Sequence, residues 1–217
     1  MTITKQPGAK RTKTTKNKNV SSRSLVVRPP RPLVELKRNQ GLVENTITLG
    51  GAGVTFRLPL IQAGDLSSER NGRAIQVLGY DARCSFAAAS TVPSCLVRII
   101  IFLWKGEPDA PVINNILYDD STSPPYQRCY NINHSSNYKI LSDSVQESKA
   151  QTGQLGGSAF YAVNQEYYRS SQDVKFTQTY STNQASSVNN QALYCLAISS
   201  VDSTVFSMTA AVTFVDI

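Results

Sequence analysis

Eleven basic residues fall between Met1 and Arg38, and Glu35 is the one acid among them, so this stretch carries a formal charge of +10. Lys5, Lys10, Arg11, Lys13, Lys16, Lys18, Arg23, Arg28 and Arg31 are the candidate contacts of a polyanion-binding segment. A lysine or arginine on an extended chain can approach a phosphate and release its condensed counterions, giving affinity without reading bases. The remaining residues, 39–217, hold eleven basic and fourteen acidic side chains, a charge of −3. The net +7 therefore combines a cationic arm with a faintly acidic body. A solubilising tail is the plainer reading of the same charges. The cations are spaced out by Thr and Asn, unlike a tight nuclear-targeting cluster. Thr2 stands where N-myristoylation requires glycine, and the arm has no apolar face, so no membrane attachment is expected.

Catalytic chemistry finds little material elsewhere. His134 is the single histidine, so any triad or metal cluster would have to be built around it alone. Cys84, Cys95, Cys129 and Cys195 show no Cys-x-x-Cys spacing. Cys84 and Cys195 sit inside strand-like patterns and read as small buried hydrophobes, with reduced thiols expected throughout. Gly50-Gly51-Ala52-Gly53 lacks the Lys-Ser/Thr of a phosphate loop and reads as a turn before Val54. Asp119-Asp120, and Asp65 with Glu69, are acidic pairs that could hold a structural calcium ion between subunits, although none matches an EF-hand loop. Tyrosines are numerous, including Tyr126, Tyr130, Tyr138, Tyr161, Tyr167, Tyr168 and Tyr180. Tyrosine suits protein interfaces because it offers apolar area and a hydroxyl; base stacking is the competing use.

The elements that must position these groups read as strands. Hydrophobic residues make up 41% of the 217 and charged residues 17%, enough for a packed core. The longest apolar run, Ile99 to Trp104, is far short of the roughly 20 residues that cross a bilayer. Met1 to Ser24 contains no apolar signal-peptide region, so none is expected. That segment is so poor in apolar side chains that a mobile arm is expected, followed by a polyproline-like spacer at Arg28-Pro29-Pro30-Arg31-Pro32. Period-two alternation then recurs over Val54–Leu60, Ile75–Phe86, Val174–Ser181 and, most clearly, Phe206–Phe214. Leu96–Trp104 is continuously apolar, as a strand covered on both faces would be; Tyr138–Val145, Leu193–Ser199 and a short Thr46–Leu49 complete about eight strands. One short helix is expected at Val112–Tyr118, burying Val112, Ile113, Ile116 and Leu117. Gly106–Asn137 and Ser148–Asp173 read as long loops. The simplest architecture is an all-β, eight-stranded antiparallel jelly-roll sandwich over 39–217, preceded by the arm and spacer over 1–38.

The order of these features resembles the single jelly-roll coat proteins of small icosahedral viruses, especially the satellite tobacco necrosis virus type, and similar proteins of some small circular single-stranded DNA viruses. The residues that carry the resemblance begin with the basic arm, then Gly64-Asp65 and Glu69-Arg70-Asn71-Gly72 ahead of a strand. Arg98-Ile99-Ile100-Ile101-Phe102-Leu103-Trp104 follows, then the short Val112–Leu117 helix and Tyr138-Lys139-Ile140-Leu141-Ser142-Asp143. Together they cover roughly 40–147.

The resemblance implies a shell of identical subunits enclosing a genome, with arms pointing inward and no enzymatic activity. About 60 copies of the arm would bring on the order of 600 positive charges to the enclosed phosphates. The expected partners are other copies of the chain and single-stranded genomic RNA or DNA, in a virion assembled in the host cytoplasm or nucleus. Two other classes compete: a lectin-like jelly-roll binding module with a basic tail, and an enzyme on a β-sandwich, which would depend on His134.

Overall fold

A computed structural model of the chain describes residues 35–59, 61–88, 94–106, 110–149, 151–155, 158–162, 165–184, 186, 188–202 and 204–217. All of them fall in the unit Val34–Ile217. Eight strands build two four-stranded antiparallel sheets. In chain order the strands are β1 (Lys37–Leu49), β2 (Val54–Arg57), β3 (Ala74–Ala87), β4 (Ser94–Trp104), β5 (Tyr138–Lys149), β6 (Gln151–Leu155), β7 (Ser158–Ala162), β8 (Glu166–Thr179), β9 (Ala192–Ser199) and β10 (Thr204–Asp216). One sheet runs β1-β10-β3-β8 and the other β2-β9-β4-β5, while β6 and β7 pair only with each other. The chain is an all-β sandwich.

The reason these segments become strands is clearest in β10. Phe206, Met208, Ala210, Val212 and Phe214 are all buried, and Val205, Ser207, Thr209 and Thr213 between them are not. Phe206 stacks on Phe56 of β2 with centroids 5.6 Å apart, so these faces of the two sheets meet. In β4, Val97 through Trp104 are buried without a break. A strand that is apolar on both faces needs cover on both. The opposite sheet supplies one cover. The connection from β4 to β5 supplies the other, through α1 (Ile113–Ile116) and two 3-10 turns at Pro125–Gln127 and Ile132–His134.

The Gly50–Gly53 turn passes the chain from one sheet to the other. Gly53 donates its N–H to Gly50 O at 3.1 Å and adopts φ +67°. A Cβ there would stand 2.9 Å from Ile198 Cγ1, so both the conformation and the space call for glycine. The far edge of the sandwich is closed by a hydrogen bond of 2.6 Å between the hydroxyls of Ser142 on β5 and Tyr168 on β8.

Three expectations are corrected. The segment Ser148–Asp173, read as a loop, is largely strand: the end of β5, the β6–β7 hairpin and the first half of β8. Gly and polar residues interrupt its short apolar runs and β8 is half exposed there, so no sustained apolar alternation marks it. The first strand spans Lys37–Leu49, not Thr46–Leu49, because Lys37–Leu42 is polar yet pairs in register with Thr209–Phe214. The helix is only Ile113–Ile116, and Val112 is 61% exposed instead of buried; its N–H is taken by Asn115 Oδ1 at 2.9 Å.

Candidate functional site

The nine candidate polyanion contacts, Lys5, Lys10, Arg11, Lys13, Lys16, Lys18, Arg23, Arg28 and Arg31, lie outside the described residues, as does the proline-rich spacer. The last two cations of the +10 segment lie in β1. Their surroundings differ. Lys37 is 2% exposed, and its Nζ donates to Glu69 O and pairs with Asp216 Oδ2, each at 2.9 Å. Its charge is used inside the body. Arg38 faces solvent.

Arg38 belongs to a cluster on the solvent face of the β1-β10-β3-β8 sheet. Asp81 on β3 is its centre. Arg169 on β8 grips that carboxylate with both fork nitrogens, Nε to Oδ1 at 3.0 Å and Nη2 to Oδ2 at 3.1 Å. Arg83 and Arg38 approach Oδ2 at 3.5 and 3.6 Å, beyond good hydrogen-bonding distance. Hydrogen bonding from Arg169, with the charges of Arg169, Arg83 and Arg38, holds the Asp81 carboxyl below its ordinary range despite some opposing burial. Three guanidiniums thus surround one carboxylate.

A second cluster anchors the β4–β5 connection. Arg98 on β4 binds Asp143 on β5, and its Nη1 donates to the carbonyls of Arg128 at 2.7 Å and Tyr126 at 3.3 Å. Tyr130 donates its hydroxyl to Asp143 and lies 5.6 Å below the Arg98 guanidinium. Burial would raise the Asp143 carboxyl, but hydrogen bonds from Arg98 and Tyr130 outweigh it and leave the group below its usual value. Tyr130 is pushed up to about 12 by burial and by the neighbouring carboxylate. Beside these residues lies an open depression of about 660 Å³, lined also by Leu96 and Val145.

Arg70, in the Glu69–Gly72 turn, is fully buried. It donates to the carbonyls of Ile61, Gly72 and Thr182 and lies 3.8 Å from the Tyr180 ring centroid. Sequence alone marked this turn without showing that its arginine is a buried staple.

The other candidate groups are dispersed. His134 ends the second 3-10 turn, and no group of three or more metal-ligating side chains occurs among the described residues. Asp119 pairs with Arg128 at 3.0 Å. Asp120 accepts from Thr122 Oγ1 at 2.6 Å, Ser123 Oγ at 2.7 Å and Thr122 N at 2.9 Å, which hold it down to about 2. Glu69 accepts from the N–H of Leu66, three residues back, and Asp65 is exposed. Cys84, Cys95 and Cys195 are buried free thiols and Cys129 is exposed. The neighbouring Cys84 thiol, with burial, pushes the Cys195 thiol well up.

The arginine cluster escaped sequence reasoning. Asp81 and Arg83 stand two apart on a strand, which places them on one face; only strand pairing brings Arg38 and Arg169 beside them. The chain matches no protein-family model and no curated protein.

Proposed function

We propose that this chain is a viral coat protein: its sandwich tiles against copies of itself into a small icosahedral shell, and its arm gathers single-stranded genomic RNA or DNA inside. The observation that carries this reading is the partition of charge. Residues 1–34 hold nine cations and no acid, while 39–217 are slightly acidic. A polyanion is the partner that such an arm attracts, and near-neutral walls avoid strong repulsion between neighbouring copies.

The strand order supports the same reading. Sheets ordered β1-β10-β3-β8 and β2-β9-β4-β5 make consecutive strands alternate between sheets for most of the chain. We read this alternation as the double Greek-key winding of a jelly roll, an architecture used in viral capsids. Fold alone does not assign function, so the charge partition carries the argument. No catalytic role is assigned to any residue.

The test is to express the full chain and examine it by size exclusion and negative-stain microscopy. Uniform hollow particles containing nuclease-sensitive material are expected. Replacing the nine arm cations by glutamine should leave particles of the same diameter with little nucleic acid. A monodisperse monomer would overturn the shell, leaving the lectin-like module as the better reading. Normal packaging by the neutralised chain would overturn the role of the arm.

A further inference from the structure

We propose that Arg38, Arg83 and Arg169 form a second phosphate-binding site, on the folded body, for the backbone of the single strand that the arm gathers. The inference rests on the packaging reading and extends it from the arm to a sheet face.

Pairing geometry gives the first reason. Arg83 and Arg169 are direct partners across β3 and β8. Like charges placed opposite one another weaken a sheet, so this pair is poor design for stability alone. Asp81 relieves it incompletely, since three arginines against one aspartate leave a local charge of +2. An arriving phosphate would complete the neutralisation.

The second reason is donor availability. Arg169 is committed to Asp81 through two hydrogen bonds. Arg38 and Arg83 meet Asp81 only at 3.6 and 3.5 Å, with side chains 54% and 63% exposed. Their planar forks are therefore open to solvent in the geometry that matches phosphate oxygens. Two depressions of about 80 and 390 Å³ share Arg38, Asp81 and Ala211; the smaller adds Arg83, and the larger adds Gly79 and Ser171 together with a second carboxylate, Asp173, at its rim.

Aromatic area and sequence position complete the case. Tyr167 lies two residues before Arg169 on the same face of β8 and is 75% exposed, a platform on which a base can stack. Arg38 is the last cation of the +10 stretch of sequence and lies in β1. The three strands that carry the arginines bring the guanidiniums to within 3.0–3.6 Å of the one Asp81 carboxylate, so the cluster takes one phosphate of the backbone at a time. No base edge is read, and RNA and DNA bind alike.

The experiment measures binding of a fluorescent single-stranded oligonucleotide to the full chain as a function of salt. Arg38→Gln with Arg83→Gln should lower the salt slope by about 1.4, so that the affinity lost between about 50 and about 200 mM salt shrinks roughly 7-fold. Asp81→Asn should tighten binding, because it removes the negative charge at the centre. A purely structural ion network requires the opposite sign for Asp81→Asn, since losing it would disorder Arg169. Circular dichroism of each variant separates loss of fold from loss of binding. Unchanged slope and affinity in the folded double variant overturn the inference while leaving the arm's role intact. Absence of binding by the unmodified chain overturns the packaging reading itself.

Discussion

Arg98 on β4 and Asp143 on β5 meet side-on, with Nε 3.0 Å from Oδ1 and Nη2 2.6 Å from Oδ2. The pair is more than an ion pair between neighbouring strands, because the third guanidinium nitrogen reaches the carbonyls of Tyr126 and Arg128. One side chain thus ties the β4–β5 connection to the sheet that it covers. The Arg98 side chain is 10% exposed and the Asp143 side chain 25%.

Arg98→Ala leaves a mostly buried carboxylate without its counter-charge and two carbonyls without a donor. The expected loss is about 2–4 kcal/mol. Arg98→Lys should recover only part of it, since an ammonium cannot make the side-on pair and reach the carbonyls together. Urea midpoints at neutral pH check both; a change in Arg98→Ala below about 0.5 kcal/mol would show that the connection is held otherwise.

Stability should fall in acid. The carboxyls of Asp81, Asp120 and Asp143 lie below their ordinary values in the folded chain. A depressed folded pKa contributes stability that is present above the unfolded value, about 3.9, and is lost as pH falls through the folded one. For Asp120 that window closes at about 2. Thermal melts should show Asp143→Asn less stable than the unmodified chain at about pH 6 and the gap narrowing by about pH 3. A gap that stays constant would rule out this assignment.

Alkali acts through the tyrosines. Burial raises Tyr130 and Tyr180 to about 12. A raised folded pKa contributes stability that is present below the unfolded value, about 10, and is lost as pH climbs through the folded one. Tyrosinate absorbance should therefore show a late-titrating class that appears together with loss of β-sheet signal. Complete tyrosine ionisation near pH 10 with the fold intact would contradict it.

Gly53→Ala forces a side chain into φ +67° and against Ile198. A loss of about 1–3 kcal/mol is expected, read from denaturant unfolding. Gly51→Ala is the control, since nothing lies within 4 Å of a Cβ there.

Thiol labelling checks the core directly. In native conditions one cysteine, Cys129, should react with iodoacetamide, while Cys84, Cys95 and Cys195 stay protected until denaturant is added. Mass spectrometry of the labelled peptides distinguishes them. Rapid native labelling of Cys195 would mean that the two sheets separate readily.

What could be read beforehand follows from how apolar area is distributed. β4, β9 and β10 announce themselves because burial there is nearly complete or largely alternating. β6 and the first halves of β1 and β8 are held by backbone pairing along largely polar sequence, and a polar strand has the same composition as a loop; β7 is too short to show a period. The charge of the arm is legible because it is contiguous. The cluster of Arg38, Asp81, Arg83 and Arg169 is not, since its members come from three strands and adjacency depends on register. Arg98 and Arg70 show the same limit, as a charged residue in a strand or turn does not announce that it is buried.

The bond between Lys37 and Asp216 fastens the first strand to the last within one side chain's length. Anything spliced on after Ile217 would therefore begin beside Lys37, at the opening of β1.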